Sequence, residues 1–231
     1  VLSWERAKEQ YGVTMPVVRA MEEKGIVKLE SMRIYRDPLD LMISRSNQKQ
    51  EEVKMQTGRD FFLNEEQQLA VQTIVKEWDQ KDKSVYLLHG VTGSGKTEVY
   101  MELIDFVRKQ GKQAIFLIPE IALTYQMVLR FYQRFGSRVS ILHSRMSAGE
   151  RYDQYEKAKN GEIDIMIGPR SALFTPFSNL GIIIIDEEHE ESYKSETVPR
   201  YHARETAQRR AEMEGAKLIL GSATPSVESY Y

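Results

Sequence analysis

The chain reads as an α/β domain built on a parallel β-sheet, and three observations carry that reading. Six short apolar runs, at 85–88, 114–118, 139–142, 163–167, 182–185 and 218–220, are continuous rather than alternating, as in strands buried on both faces. Stretches of helical periodicity separate most of them. A glycine-rich loop, Gly90-Val91-Thr92-Gly93-Ser94-Gly95-Lys96-Thr97, follows the first run and opens a helical stretch over 98–110. In such a sheet, ligands collect at the carboxyl ends of the strands.

The 231 residues allow one large domain, or an ordinary domain with a small appendage. Apolar and charged fractions of 41% and 29% supply a core and a solvated surface. No apolar run approaches the ~20 residues of a membrane span, and the first residues lack the pattern of a leader, so a cytoplasmic protein without membrane contact is expected. The absence of cysteine excludes disulfides and thiolate zinc sites from these residues. A net charge of −2 neither supports nor excludes nucleic acid, because a basic face can coexist with an acidic remainder. A start at Val1 and a stop at Tyr231, just after a motif of functional type, mark the chain as an expected fragment of something longer.

Residues 1–36 read as a small module. Ser3 is a candidate helix cap and Gly12 a stop; Thr14 opens a second helix with Pro16 in its first turn, and Gly25 closes it. Two short strands, 26–30 and 32–36, then complete the order of a winged helix, a module that touches DNA in some proteins and only holds domains together in others. Residues 37–60 are polar and read as a linker. From residue 61 the α/β domain begins, with Val71, Ile74, Val75 and Trp78 on one helix face.

The loop from Gly90 to Thr97 fits G-x-x-x-x-G-K-[ST] in the context that the motif requires, strand before and helix after. Its amides must all turn toward a phosphate, which needs glycines able to take positive φ. Gly90, Thr92, Gly93, Ser94, Gly95, Lys96, Thr97 and the following Glu98 therefore form the expected nucleotide-binding set. Lys96 supplies charge to the β- and γ-phosphates, Thr97 a hydroxyl to Mg²⁺, and the helix N-terminus a partial positive charge. The fifth run delivers Asp186-Glu187-Glu188-His189 to the same expected edge. There Asp186 would reach the Mg²⁺ shell, and Glu187 would act as general base toward the attacking water. The sixth run ends in Gly221-Ser222-Ala223-Thr224-Pro225, where a plain strand-to-turn transition accounts for Ser222 and Thr224 equally well.

Taken together, the phosphate loop, the Asp186–His189 quartet and Ser222-Ala223-Thr224 resemble the DExH-type helicases of superfamily 2. Segments such as Ile118-Pro119-Glu120-Ile121-Ala122-Leu123-Thr124, Gly168-Pro169-Arg170-Ser171-Ala172-Leu173-Phe174 and Pro199-Arg200-Tyr201-His202-Ala203-Arg204 are similar to the PriA family of replication-restart helicases. The resemblance covers nearly all of 61–229. It implies a RecA-like first motor lobe that uses ATP and Mg²⁺, with Lys96, Asp186, Glu187 and His189 catalytic and Ser222 and Thr224 coupling the nucleotide to movement on DNA.

By the same resemblance Gln67 would read the adenine ring. The residue also completes a capping box with Asn64, and the two roles are expected to exclude each other. Tyr193, Lys194, Arg200, Tyr201, His202 and Arg204 interleave aromatic and basic side chains, a composition suited to single-stranded DNA, although tyrosines packing the core edge would look alike. His143, Ser144, Arg170 and Ser171 are further DNA candidates, with backbone-turn roles as the alternative. The expected partners are single-stranded and branched fork DNA, with primosome and single-strand-binding proteins implied by the resemblance. The family's second lobe, arginine finger and zinc segment lie outside these residues, so this piece should bind ATP–Mg²⁺ yet turn it over poorly. Another superfamily 2 translocase of restriction or repair, and a nucleotide-dependent switch without motor action, are the competing readings.

Overall fold

The computed structural model describes residues 4–29, 63–80, 84–226 and 229. The chain divides into two compact units, 1–35 and 36–231. The first unit contains α1 (Trp4–Tyr11) and α2 (Met15–Glu23), each followed by a glycine of positive φ, Gly12 and Gly25. Thr14 precedes α2 in extended conformation, with Pro16 in the first turn. Residues 27–29 form no strand; the amide of Leu29 instead donates to Glu22 Oε1 at 2.9 Å. The second strand expected over 32–36 and the linker at 37–60 lie outside the described residues.

In the second unit, α3 (Glu65–Lys76) starts at a full capping box between Asn64 and Gln67. The remaining elements follow as β1 (Val85–His89), α4 (Lys96–Lys109), β2 (Gln113–Leu117), α5 (Tyr125–Phe135), β3 (Val139–Ile141), α6 (Ala148–Lys159), β4 (Ile165–Gly168), β5 (Leu180–Ile185), α7 (Ala203–Glu214) and β6 (Lys217–Ser222). The six strands pair in parallel in the order β1-β6-β5-β2-β4-β3. Each strand lies within two residues of its apolar run. Offsets of two residues occur at the late start of β4, the early start of β5 and the late end of β6.

Two apolar layers cover the sheet, one on each face. Alternate strand residues Phe116, Ile167, Ile184 and Ile219 meet α3, α4 and α5 through Trp78, Leu103 and Phe131. Their neighbours Ile115, Met166, Ile183 and Leu218 meet the other layer, where Ala203, Ala207 and Ala211 of α7 recur every four residues and let that helix lie close. Full burial of each such isoleucine or leucine contributes roughly 1.5–3 kcal/mol, so the runs are predominantly apolar, and their polar members Ser140 and Asp164 are held by hydrogen bonds. Since every strand is parallel, the ends of β1, β5 and β6 all reach one edge.

Candidate functional site

The site forms at that edge, where three strand ends and one helix start converge. In the loop between β1 and α4, Gly93 and Gly95 take left-handed backbone, with φ of 80° and 81°. Among the described residues, the amides of Gly93, Gly95, Lys96 and Thr97 have no backbone carbonyl as acceptor, and a phosphate supplies such acceptors. A Cβ at 95 would also stand 2.2 Å from Gln67 Nε2, so a side chain there would displace the Gln67 amide from the loop. Thr92 lies exposed on the loop, while Ser94 closes its turn, its amide donating to Val91 O at 3.1 Å. The buried Lys96 donates through Nζ to Gly90 O at 2.7 Å and stands 3.7 Å from Glu187 Oε1.

Gln67 completes the capping box and also reaches the phosphate loop. Its Oε1 accepts from the amide of Asn64 at 2.9 Å while its Nε2 donates to Ser94 O at 2.8 Å. Capping uses only the oxygen of the side-chain amide, so the nitrogen remains available to the phosphate loop. Glu98 turns the other way, its carboxylate accepting from Arg130 on α5.

At the end of β5 the quartet fans out residue by residue. Asp186 accepts from the hydroxyl of Tyr100 at 3.0 Å through Oδ1, and its carbonyl accepts from Tyr193 at 2.6 Å. Burial pushes the Asp186 carboxyl above its ordinary range; the Tyr100 hydrogen bond opposes this and the charge of Glu187 adds to it. Burial and the Asp186 charge also drive the Tyr100 phenol far above the usual tyrosine value, so it stays a donor. Glu187 has φ of 47°, the single positive value at a non-glycine among the described residues, a conformation that costs on the order of 1–3 kcal/mol. That turn separates Asp186 from the residues that follow and leaves Glu187 facing Lys96. His189 Nδ1 lies 2.7 Å from Ser222 Oγ. Ser222 in turn accepts through its carbonyl from the Gly90 amide at 3.1 Å, and its hydroxyl accepts from the Thr224 amide at 3.1 Å. The end of β6 therefore bridges the phosphate loop and the acidic quartet, a centrality that spacing alone did not reveal.

The Thr97 hydroxyl and the Asp186 carboxylate are hard oxygen donors at one edge. They fit Mg²⁺, which takes one or two protein oxygens and completes its shell with water and phosphate. Among the described residues no group of three or more His, Asp or Glu side chains forms a self-sufficient metal cage.

The residues expected to meet DNA separate into exposed and committed groups. Lys194 and Arg200 are exposed, and Tyr201 meets Phe174 edge to face with ring centroids 5.2 Å apart. Tyr193 offers no stacking face, being 1% exposed with its hydroxyl bonded to Asp186. Arg204 is tied to Ser226 Oγ and Ser229 Oγ, each at 2.8 Å, and to the buried Glu188. Arg170 donates to the carbonyls of Ser192 and Lys194 at 2.8 and 2.6 Å, shaping the loop instead of projecting from it. His202 caps α7, its Nδ1 accepting from the Arg204 amide. Ser144 and Ser171 act through backbone atoms, Ser144 donating its amide to Glu120 and Ser171 accepting from Tyr155, while His143 lies half-buried after β3. Sequence reasoning missed Tyr100, Glu188 and Phe174. Tyr100 stands three residues after Thr97 on the same helix face, a spacing that could have drawn attention to it; nothing in the sequence distinguishes Phe174 from a core aromatic.

Residues 60–227 match the family described as Type III restriction enzyme, res subunit. The chain belongs to that family. Relatives in the same region carry the name replication restart protein PriA. The Bacillus subtilis protein is 47% identical over 214 residues, covering 92% of this chain and 25% of the relative. The Chlamydia trachomatis protein is 52% identical over 169 residues, covering 73% and 22%. The chain thus spans about a quarter of the length of the curated relatives it matches. Among solved structures, RecG bound to a three-way DNA junction superposes with a TM-score of 0.55 at 25% identity, covering 74% of this chain and 22% of that one. The family resemblance read from the motifs and the RecA-like fold are both borne out. No helix among the described residues is long and apolar enough to cross a membrane.

Proposed function

We propose that this chain is the ATP-binding lobe of a 3′-to-5′ DNA helicase that acts in replication restart. One observation carries the reading: Lys96 Nζ lies 3.7 Å from Glu187 Oε1, joining the phosphate loop to the acidic strand end. The triphosphate lies against the amides from Gly93 to Thr97, with Lys96 on its β- and γ-phosphates. Thr97 and Asp186 would hold Mg²⁺, which would supply positive charge to the phosphate oxygens. Glu187 accepts a proton from the attacking water as the water oxygen bonds to the γ-phosphorus; the bond to the bridging oxygen breaks, and ADP and phosphate leave. Gln67 reads the adenine ring, a role that follows from the family resemblance. His189 and Ser222 carry the change in phosphate occupancy into β6 and the segment after it.

The DNA path runs over the loops after β4 and β5, where Phe174 and Tyr201 provide ring faces and Lys194 and Arg200 provide charge. Single-stranded and branched DNA are the substrates, a choice supported by the RecG junction complex. Primosome and single-strand-binding proteins as partners, zinc in a further segment, a winged-helix role for residues 1–36 and a linker role for 37–60 follow from the family resemblance. A restriction or repair translocase is the weaker alternative, since relatives 42–52% identical over most of the chain carry the replication-restart name.

ATP hydrolysis by the full-length protein with and without single-stranded DNA tests this function. A motor requires stimulation by DNA, and Glu187→Gln must keep ATP bound while turnover stops. Equal rates with and without DNA would instead identify a nucleotide switch. Turnover by the present chain alone should be slow, because an arginine finger from a second lobe is worth about 10³–10⁵ in rate.

A further inference from the structure

Tyr100 is absent from every motif that led to the site, yet its hydroxyl is buried against the carboxylate at the centre of it. It projects from α4 one turn beyond Thr97, and the side chain is 0% exposed. Its ring packs on Phe116 of β2 at 5.6 Å between centroids. Its hydroxyl donates to Asp186 Oδ1 at 3.0 Å. The neighbouring strand is shaped around this contact: a Cβ on Gly221 would stand 1.6 Å from the Tyr100 hydroxyl and 3.3 Å from Asp186 Oδ1. No side chain can occupy position 221 unless the phenol is displaced, so glycine there keeps the path to the carboxylate open.

We propose that Tyr100 is a positioning residue that holds the Asp186 carboxylate in the orientation needed to take Mg²⁺. The inference rests on the reading of Asp186 as a magnesium ligand. A carboxylate on a short side chain can rotate about its last bond, and only some orientations offer lone pairs toward the helix start that carries Thr97. Tyr100 removes that freedom from one oxygen. Of the roughly four lone-pair sites, those left unoccupied serve the ion. Because Thr97 and Tyr100 share a helix face, one rigid element positions both oxygen donors. Partners of this kind, bonded to a metal ligand without touching the metal, typically affect ion affinity by about 10–100-fold.

The experiment compares the unaltered chain with Tyr100→Phe, which removes one oxygen and keeps the ring. A fluorescent ATP analogue is titrated first without divalent ion and then at rising Mg²⁺, with Mn²⁺ binding followed separately by electron paramagnetic resonance. The expected result is analogue affinity without the ion within about twofold of the unaltered chain, and a half-saturating Mg²⁺ and Mn²⁺ concentration about tenfold higher. Tyr193→Phe is the control, since it deletes a hydrogen bond to the Asp186 carbonyl but none to the carboxylate; its ion dependence should be unchanged. Equal ion dependence in Tyr100→Phe and the unaltered chain overturns the proposal, as does an equal rise in both tyrosine variants, which indicates general loosening. Failure of the unaltered chain to bind the analogue at all would strike the nucleotide reading itself. Should Tyr100→Phe not fold, ¹³Cζ-tyrosine NMR of the unaltered chain decides: Mg²⁺ added to the analogue complex must shift the Tyr100 resonance, and an unmoved signal refutes the role.

Discussion

Glu188 Oε2 lies 3.5 Å from Arg204 Nη1, joining the loop after β5 to the first turn of α7. The carboxylate is buried and accepts also from the Ser226 amide and the Ser229 hydroxyl, both at 2.9 Å. Its own amide donates to Gly221 O at 2.9 Å. Breaking a buried pair from one side leaves an uncompensated charge, so Arg204→Ala should destabilise the chain by about 3 kcal/mol. Combining it with Glu188→Gln should cost less than the two single losses added, by roughly 1 kcal/mol or more. Urea unfolding of the four proteins measures both; additive losses would show that the pair does not act as one unit.

Lys96 has the strongest claim on the nucleotide. Lys96→Ala should weaken ATP affinity by about 100-fold, roughly 2.7 kcal/mol, while leaving the fold intact. Calorimetric titration with ATP and Mg²⁺ checks this, and an unaltered affinity would remove the phosphate loop from the function.

The exposed Phe174 ring and the half-buried Tyr201 ring beside it define where DNA bases should stack. Phe174→Ala and Tyr201→Ala should each weaken binding of a labelled single-stranded oligonucleotide by about 1–3 kcal/mol in the full-length protein, with Tyr193→Phe unchanged. Fluorescence anisotropy reads the affinities. Loss only in the Tyr193 variant would relocate the DNA surface.

Asp164 ties α4 to the segment before β3 through Arg108 and Arg138. Burial alone would raise its carboxyl, but the hydrogen bonds and charges of the two arginines outweigh this and hold it below the usual range. The stability gained is therefore fully present above the ordinary carboxylate pKa of about 4 and is lost as pH falls through the depressed value. Asp164→Asn should lower Tm by about 2–4 °C at pH 7, corresponding to roughly 1 kcal/mol. The gap should close on acidification, and a gap that persists at pH 2 would assign the loss to packing.

Much of the architecture was legible in the residue order, because burial on both faces leaves a predominantly apolar run where a parallel strand passes. The runs at 114–118 and 182–185 marked β2 and β5 to within two residues. The phosphate loop was legible for a different reason: positive-φ glycines and a lysine must occur at set intervals to enclose a phosphate, and few other needs produce them. Asn64 likewise announced the start of α3, since a capping box is complete within four consecutive residues.

What a polar residue does at a strand end depends on which neighbours the topology brings beside it. Tyr193 and Arg204 have the composition of a DNA-binding loop, but one is buried on Asp186 and the other holds Glu188. The placement of β6 between β1 and β5 is set by long-range pairing, and it converts Ser222 from a turn residue into the link between Gly90 and His189. Residue order alone determined the strands, the helices and the phosphate loop of this protein, since periodicity, capping and glycine conformation act within a few positions. Only the tertiary structure decided that Tyr100, Asp186 and Gly221 meet, because that contact depends on the packing of three elements far apart in the chain.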